Sequence, residues 1–596
     1  MKKGIIRTLT AALATAVFAG MCVIPAFAAN TVITDGNWIG SDADLTANPQ
    51  VPGTARATVK TITVKEVNDT SSNLRVTAYQ VVKGTYSDGK LTGYVLCDTA
   101  NAPISNISEP TATEVTAIAN NIGSNTTTLQ GIVMSGSNGV YTADVEAGLY
   151  VVLVTGSDSV VYNPAVVAVN VSDANNIATS ASGGTVDMTT YFSYPSNAYL
   201  KSSESGLKKS IVAVGDVSPE CAKGDVVAYG DTVGFKVDEM VIPSYSSDYA
   251  SPIIYKIEDK LDANGFAGIT SLVVKSGATS ATAAVLSATD ESTSKTNYTI
   301  VYKNAEGDAI TDKIDTDAVS YEVSFSDEFI RANGGNVVEI TYNSTFKDSV
   351  AVNYSEHKNT ATLSYSNDPT DSTKAKKKKS TTYHYTFGID ADIDADATGN
   401  FETYEINKVT EAGGTYTNGV SNKALEGAGF TLYSDEALTN AVGTAESSEK
   451  GHISFFGLDT GTYYLKESYA PPRYSINDKV YRFKIEATFD AATGILSSYK
   501  ITTDLKQADN TYTNAGTATY TNKMTDNAFS VDDDGNVTNA ISTSITPAEI
   551  VNTSLAVLPS TGGLGTIIIT VIAAGGMAVF LTIFIVNRRK RSSKED

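Results

Sequence analysis

Cysteine, histidine and tryptophan are scarce in this sequence: 596 residues hold three cysteines, three histidines and one tryptophan. His357, His384 and His452 form no HExxH pattern, and there is no CxxC pair, no phosphate-cradling glycine loop and no GxSxG. Metal-assisted hydrolysis, dithiol redox chemistry, nucleotide binding and serine-hydrolase chemistry each need one of those arrangements. No cofactor, no metal and no turnover of an external substrate is therefore expected. Basic charge is also in deficit. Only 44 Lys and Arg oppose 66 Asp and Glu, a formal charge of −22, and an exterior of that sign repels phosphate backbones. Nucleic acid is excluded as a partner. Disulfide frameworks are excluded too, because Cys22 lies in a removable leader and only Cys97 and Cys221 remain. One bridge between those two, or two unrelated thiols, both fit the spacing.

The ends of the chain carry export and anchoring signals. Lys2, Lys3 and Arg7 precede an apolar stretch closing on Ala26, Phe27 and Ala28, the pattern of a secretory signal over 1–28. Residues 564–586 are uncharged and long enough to span a bilayer as one helix, and Arg588, Arg589, Lys590 and Arg591 follow on the cytoplasmic side. Trp38 lies in a poorly patterned leader and receives no role.

Between these ends the chain reads as all-β. Apolar and polar residues alternate over short runs such as "TITVKEV", "VVLVTG" and "AVVAVNV", punctuated by turn residues, as in immunoglobulin-like β-sandwiches. Helical periodicity is confined to a stretch around 114–121. Three sandwiches are expected, at 29–190, 191–388 and 389–556, before a sorting segment, helix and basic tail at 557–596. The first and third resemble each other: setting Tyr463 on Tyr150 puts Leu465 on Val152 and Glu467 on Val154.

Alternation also predicts which ionisable residues face a core. In "YEINKVT" it groups Tyr404, Ile406 and Lys408, and in "YYLKESY" it groups Tyr463, Leu465 and Glu467. A buried amine tends to lose its proton and become a nucleophile, whereas a buried carboxyl tends to keep one and can polarise an amide. Asn552, sharing a face with Ile550, would supply that amide. A partly exposed ion pair beside a turn-capping asparagine fits the same spacing.

The phrases "INKV", "LEGAGFTLYSD", "GTYYLKESYAPPRY" and "IVNTSLAVLPSTGG" resemble the motifs of the collagen-adhesin B-type domain that ends Gram-positive sortase-assembled pilins. The resemblance implies an isopeptide bond between Lys408 and Asn552, promoted by Glu467. It also implies a sorting signal at Leu558, Pro559, Ser560, Thr561 and Gly562, cut by sortase between Thr561 and Gly562 and joined to peptidoglycan or to other pilin subunits. The second block, with "LKKSIVAVGD", "IIYKIEDKLDANGF" and "KNTATLSYSND", resembles the collagen-adhesin A-type middle domain of the same pilins. There alternation favours Lys209 over Lys208 as nucleophile, with Asp259 as acid and Asn359 as amide. The first block has Lys65 but Val154 at the acid position, so no bond is expected in it. Backbone pilins of this family carry a Tyr-Pro-Lys-Asn motif; here it reads Tyr194, Pro195, Ser196 and Asn197, and Lys201 is the nearest substitute for the missing polymerising lysine. The resemblance thus implies a wall-anchored, surface-exposed pilin subunit, structural and adhesive, with a non-polymerising wall-anchored adhesin or binding protein as the alternative.

Three further segments are expected to be structural. Asp390, Asp392, Asp394 and Asp396 fail the calcium-loop pattern, since Ala395 and Phe401 stand where Gly and Glu are required, and read as a solvated edge strand. Residues 531–537 read as a hairpin turn. The lysines at 374 and 376–379 read as a solvated loop.

Overall fold

The computed structural model describes residues 59–87, 90–100, 104–171, 192–215, 217–310, 317–348, 350–371, 374–391, 403–524, 528–555 and 572–583. The leader with Trp38, the 558–562 peptide and both ends of the 564–586 run lie outside them. Within that run residues 572–583 are helical, and no helix among the described residues is long and apolar enough to cross a membrane.

The described chain is predominantly β and gathers around three buried apolar clusters. In the first, a four-stranded sheet ordered 197–199, 59–67, 139–146, 135–137 shares its core with a five-stranded sheet built on Arg75–Ser87 and Gly148–Thr155. Gly148–Thr155 breaks the period-two pattern, with its first seven residues all buried. The reason is the helix Ala112–Ser124, whose Val115, Ile118, Ala119 and Ile122 recur at helical spacing and cover the strand. Thr111 starts that helix with a capping box: its hydroxyl accepts from Glu114 N, and Glu114 accepts from Thr111 N at 2.7 Å. The helix is longer at both ends than its periodicity suggests. Residues 192–204 also pack on this sandwich: Asn197–Tyr199 runs parallel to Val59–Val67, Ser202–Glu204 pairs with Val160–Tyr162, and Phe192 and Leu200 enter the core.

The second cluster lies between a five-stranded sheet led by Lys208–Val214 and a seven-stranded sheet containing Tyr255–Leu261 and His357–Ser366. The third is organised by a seven-stranded antiparallel sheet from Ala441–Glu446 to Ile541–Thr546. Opposite it, Ile406–Val409 and Ala548–Val551 pair in parallel, Lys408 facing Ile550. Phe387–Ile389 enters this core first, by pairing with Phe455–Leu458, so the direct neighbours are an early strand of the third sandwich and the one that closes it.

Two expectations are corrected. The lysine run is not a loop but part of the strand Ala375–Tyr385, paired along its length with His357–Ser366. Its charges had concealed its pattern, and they are used: Lys376 meets Asp158 at 3.3 Å, Lys378 meets Glu204 at 2.8 Å and Lys379 meets Asp534 at 3.4 Å, so one strand touches all three sandwiches. Asp390 is not solvated. It is 5% exposed, and its carboxylate accepts from Ile406 N at 2.9 Å and Ile453 N at 2.7 Å. Burial and the neighbouring Glu405 raise its pKa well above the ordinary value. Asp392, Asp394 and Asp396 lie outside the described residues. The 531–537 turn joins the short strands Ser530–Val531 and Val537–Thr538, and Asp532 closes it by accepting from Asp534 N and Asn536 N.

Candidate functional site

In the third sandwich Lys408, Glu467 and Asn552 converge from three strands or strand ends. All three are buried, Lys408 and Asn552 completely. Lys408 Nζ donates to Glu467 Oε2 at 3.0 Å and to Asn552 Oδ1, while Asn552 Nδ2 donates to Glu467 Oε1 at 2.6 Å. A single carboxyl thus touches both the amine and the amide. Asn477 N steadies it from outside at 3.1 Å, and the Phe430 ring lies 5.5 Å from the amine. The backbone around the lysine is fixed as well. Lys408 N donates to Gly451 O, and Gly451 holds φ 80°, where a Cβ would stand 2.7 Å from Lys408 O.

Desolvation is the dominant influence on Lys408 and pushes its pKa down to about 8, with Glu467 opposing. A free amine at this position makes stability depend on pH. Below about 8 folding must keep a charge out of water; between about 8 and 10.5 the folded chain has released a proton that the unfolded chain still holds, so stability rises with pH. Asn552→Ala, compared with Lys408→Met/Asn552→Ala, is expected to show this rise in urea midpoints measured from pH 7.5 to 9.5; parallel curves would contradict it.

The middle sandwich assembles Lys209, Asp259 and Asn359. Each is at most 1% exposed, whereas Lys208 points outward to Glu239. Lys209 Nζ donates to Asp259 Oδ2, and its pKa is lowered to about 8, first by desolvation. Two residues that sequence reading passed over complete the site. Tyr342 OH accepts from Lys209 Nζ at 2.9 Å and from Asn359 Nδ2 at 2.7 Å, and Tyr321 OH donates to Asp259 Oδ2 at 3.2 Å. The signal was available: alternation in Val337–Phe346 puts Val338, Ile340 and Tyr342 on the inner face.

The first sandwich holds no such cluster among its described residues. Val154 is buried where the third has Glu467, and Lys65 is partly exposed, lying over the Tyr199 ring. The two sandwiches do share a detail: Tyr150 OH donates to Glu146 O at 2.8 Å, and Tyr463 OH donates to Asp459 O at 3.0 Å. Of the motif at 194–197, Ser196 is 2% exposed and its carbonyl accepts from Thr63 N. Lys201 is exposed, its backbone carbonyl held by Asn163 N at 3.1 Å. Cys97 and Cys221 are separate free thiols.

Comparison with known proteins agrees with this architecture. Residues 57–202 match the T6 antigen Ig-like domain family, and residues 411–495 match the SpaA prealbumin-like fold domain family. The trypsin-resistant surface T6 protein of Streptococcus pyogenes serotype M6 is 24% identical over 515 residues, covering 81% of this chain and 86% of that protein. The solved T6 backbone pilin of the same serotype, described as a modular three-domain structure, superposes with a TM-score of 0.53 at 18% identity, covering 84% of this chain and 99% of that one. The full-length major pilin SpaD of Corynebacterium diphtheriae aligns with a TM-score of 0.38 at 19% identity, covering 70% and 89%. Over four fifths of its length this chain is similar in sequence to a surface T6 protein, and its fold is similar to that of the three-domain T6 backbone pilin.

Proposed function

We propose that the chain is a cell-surface pilus subunit that cross-links itself through Lys408–Asn552 and Lys209–Asn359 isopeptide bonds and is joined by sortase at Thr561 to other subunits and to peptidoglycan. Its relation to backbone pilins supports the coarse reading. One observation carries the finer one: Glu467 contacts both the amine and the amide in a fully buried site. In that environment the ion pair is disfavoured, so a proton moves from Lys408 Nζ to Glu467 Oε2. The neutral amine attacks Asn552 Cγ, a C–N bond forms, and the Cγ–Nδ2 bond breaks. Of the three protons first on Nζ, one remains on Glu467, one stays on the new amide and one leaves with Nδ2 as ammonia.

The closed loop spans 144 residues, and by the chain-entropy argument for cross-links it contributes roughly 4 to 5 kcal/mol. The mechanical effect is larger. Because Ile406–Val409 lies near the start of the domain and Ala548–Val551 closes it, tension across the stretch between them passes through the bond instead of peeling the sheets apart. The mature chain is expected to weigh two ammonia molecules less than its encoded mass; the full encoded mass would contradict both bonds.

Serine in place of the motif lysine favours a second reading, a wall-anchored adhesin that does not polymerise. Lys201 is the acceptor under the first reading and has no such role under the second.

A further inference from the structure

The two bonding sites solve one problem with different parts. Glu467 reaches the amine with one oxygen and the amide nitrogen with the other. Asp259 is a methylene shorter: its Oδ2 takes the amine and the Tyr321 hydroxyl but no hydrogen bond joins it to the amide, and its Oδ1 and the Oδ1 of Asn359 have no hydrogen-bond partner. Between Lys209 Nζ and Asn359 Nδ2 stands the hydroxyl of Tyr342, 2.9 Å from one and 2.7 Å from the other.

We propose that Tyr342 is a catalytic residue of the middle site, carrying a proton from Lys209 Nζ to the departing Nδ2 of Asn359. The inference rests on the isopeptide reading of that site. As Nζ bonds to Cγ, Nδ2 changes from a planar amide nitrogen, which offers no usable lone pair, to a tetrahedral amine that does. The Tyr342 hydroxyl then gives its own proton to Nδ2 and takes one from Nζ, so the phenol is regenerated while the Cγ–Nδ2 bond breaks and ammonia leaves. Asp259 retains the proton it took from the lysine, which balances the three that began on Nζ. The ring is fixed for this task, with Phe235 at 5.1 Å and Tyr321 at 5.2 Å between centroids. Burial also raises the Tyr342 pKa well above the ordinary value, which keeps the phenol protonated.

The test is peptide mapping of the full chain at intervals after synthesis, with the Lys408–Asn552 cross-link as an internal clock. In Tyr342→Phe, the Lys209–Asn359 cross-link is expected to form at least about 100-fold more slowly, the scale of one positioned proton donor, while the clock is unchanged. A wild-type rate in Tyr342→Phe overturns the proposal. Asp259→Glu/Tyr342→Phe supplies the longer acid and is expected to recover the middle cross-link. Recovery also shows that the core accepts phenylalanine, and its absence counts against the proposal. A wild-type chain lacking the middle cross-link overturns the bonding reading itself, a result distinct from a cross-link that ignores Tyr342.

Discussion

Glu467→Gln is expected to leave the chain one ammonia heavier than its natural form and to lower the melting temperature of the third sandwich by on the order of 10–20 °C. The size follows from losing roughly 4 to 5 kcal/mol of loop-closure stabilisation, at about 2–4 °C per kcal/mol for a domain of this size. Glutamine keeps the volume and most of the hydrogen bonds, so the loss cannot be assigned to a cavity. What it removes is an oxygen able to take a proton from Lys408 Nζ at 3.0 Å. The lysine then stays buried and unbonded without an acid beside it, a state that costs further stability unless it releases its proton. Intact mass and calorimetry on the same preparation check both parts. A deficit of two ammonia molecules against its own encoded mass in Glu467→Gln would show that the carboxyl does not promote the reaction.

The second large effect concerns assembly. Co-expressed with its pilin sortase, the chain is expected to give a ladder of covalent multimers that Lys201→Ala reduces to monomer. Ser196 is a poor acceptor because it is buried and its segment is tied to Thr63 N, whereas Lys201 stands exposed on a backbone pinned by Asn163. The Ser196 hydroxyl sits in a 2% exposed residue directly before the strand at 197–199, which is paired with Val59–Val67. Monomer from the unaltered chain would favour the wall-anchored adhesin. A ladder that survives Lys201→Ala would move the acceptor to another lysine.

Alternation carried most of the site reading. It separates Lys209 from Lys208, which the structure has buried and exposed respectively, and it gathers Lys408 and Glu467 onto inward faces. It failed where a second layer covers a sheet, as at Gly148–Thr155 under its helix, because a strand buried on both faces has no polar phase to read. Charge of either sign misled. The lysine run looked solvated because each side chain is cationic, yet the strand is paired and its charges meet acids from neighbouring sandwiches. Asp390 looked solvated for the same reason, although two backbone amides were waiting to receive it in the interior. Tyr342 was legible by phase but not by role, because its significance comes from Lys209, 133 residues away, and from Asn359 on another strand.

Tandem mass spectrometry of digested native chain decides whether the third sandwich cross-links itself. One branched peptide is expected, in which Lys408 and Asn552 are joined with loss of ammonia. Recovery of those two residues in separate linear peptides would contradict it.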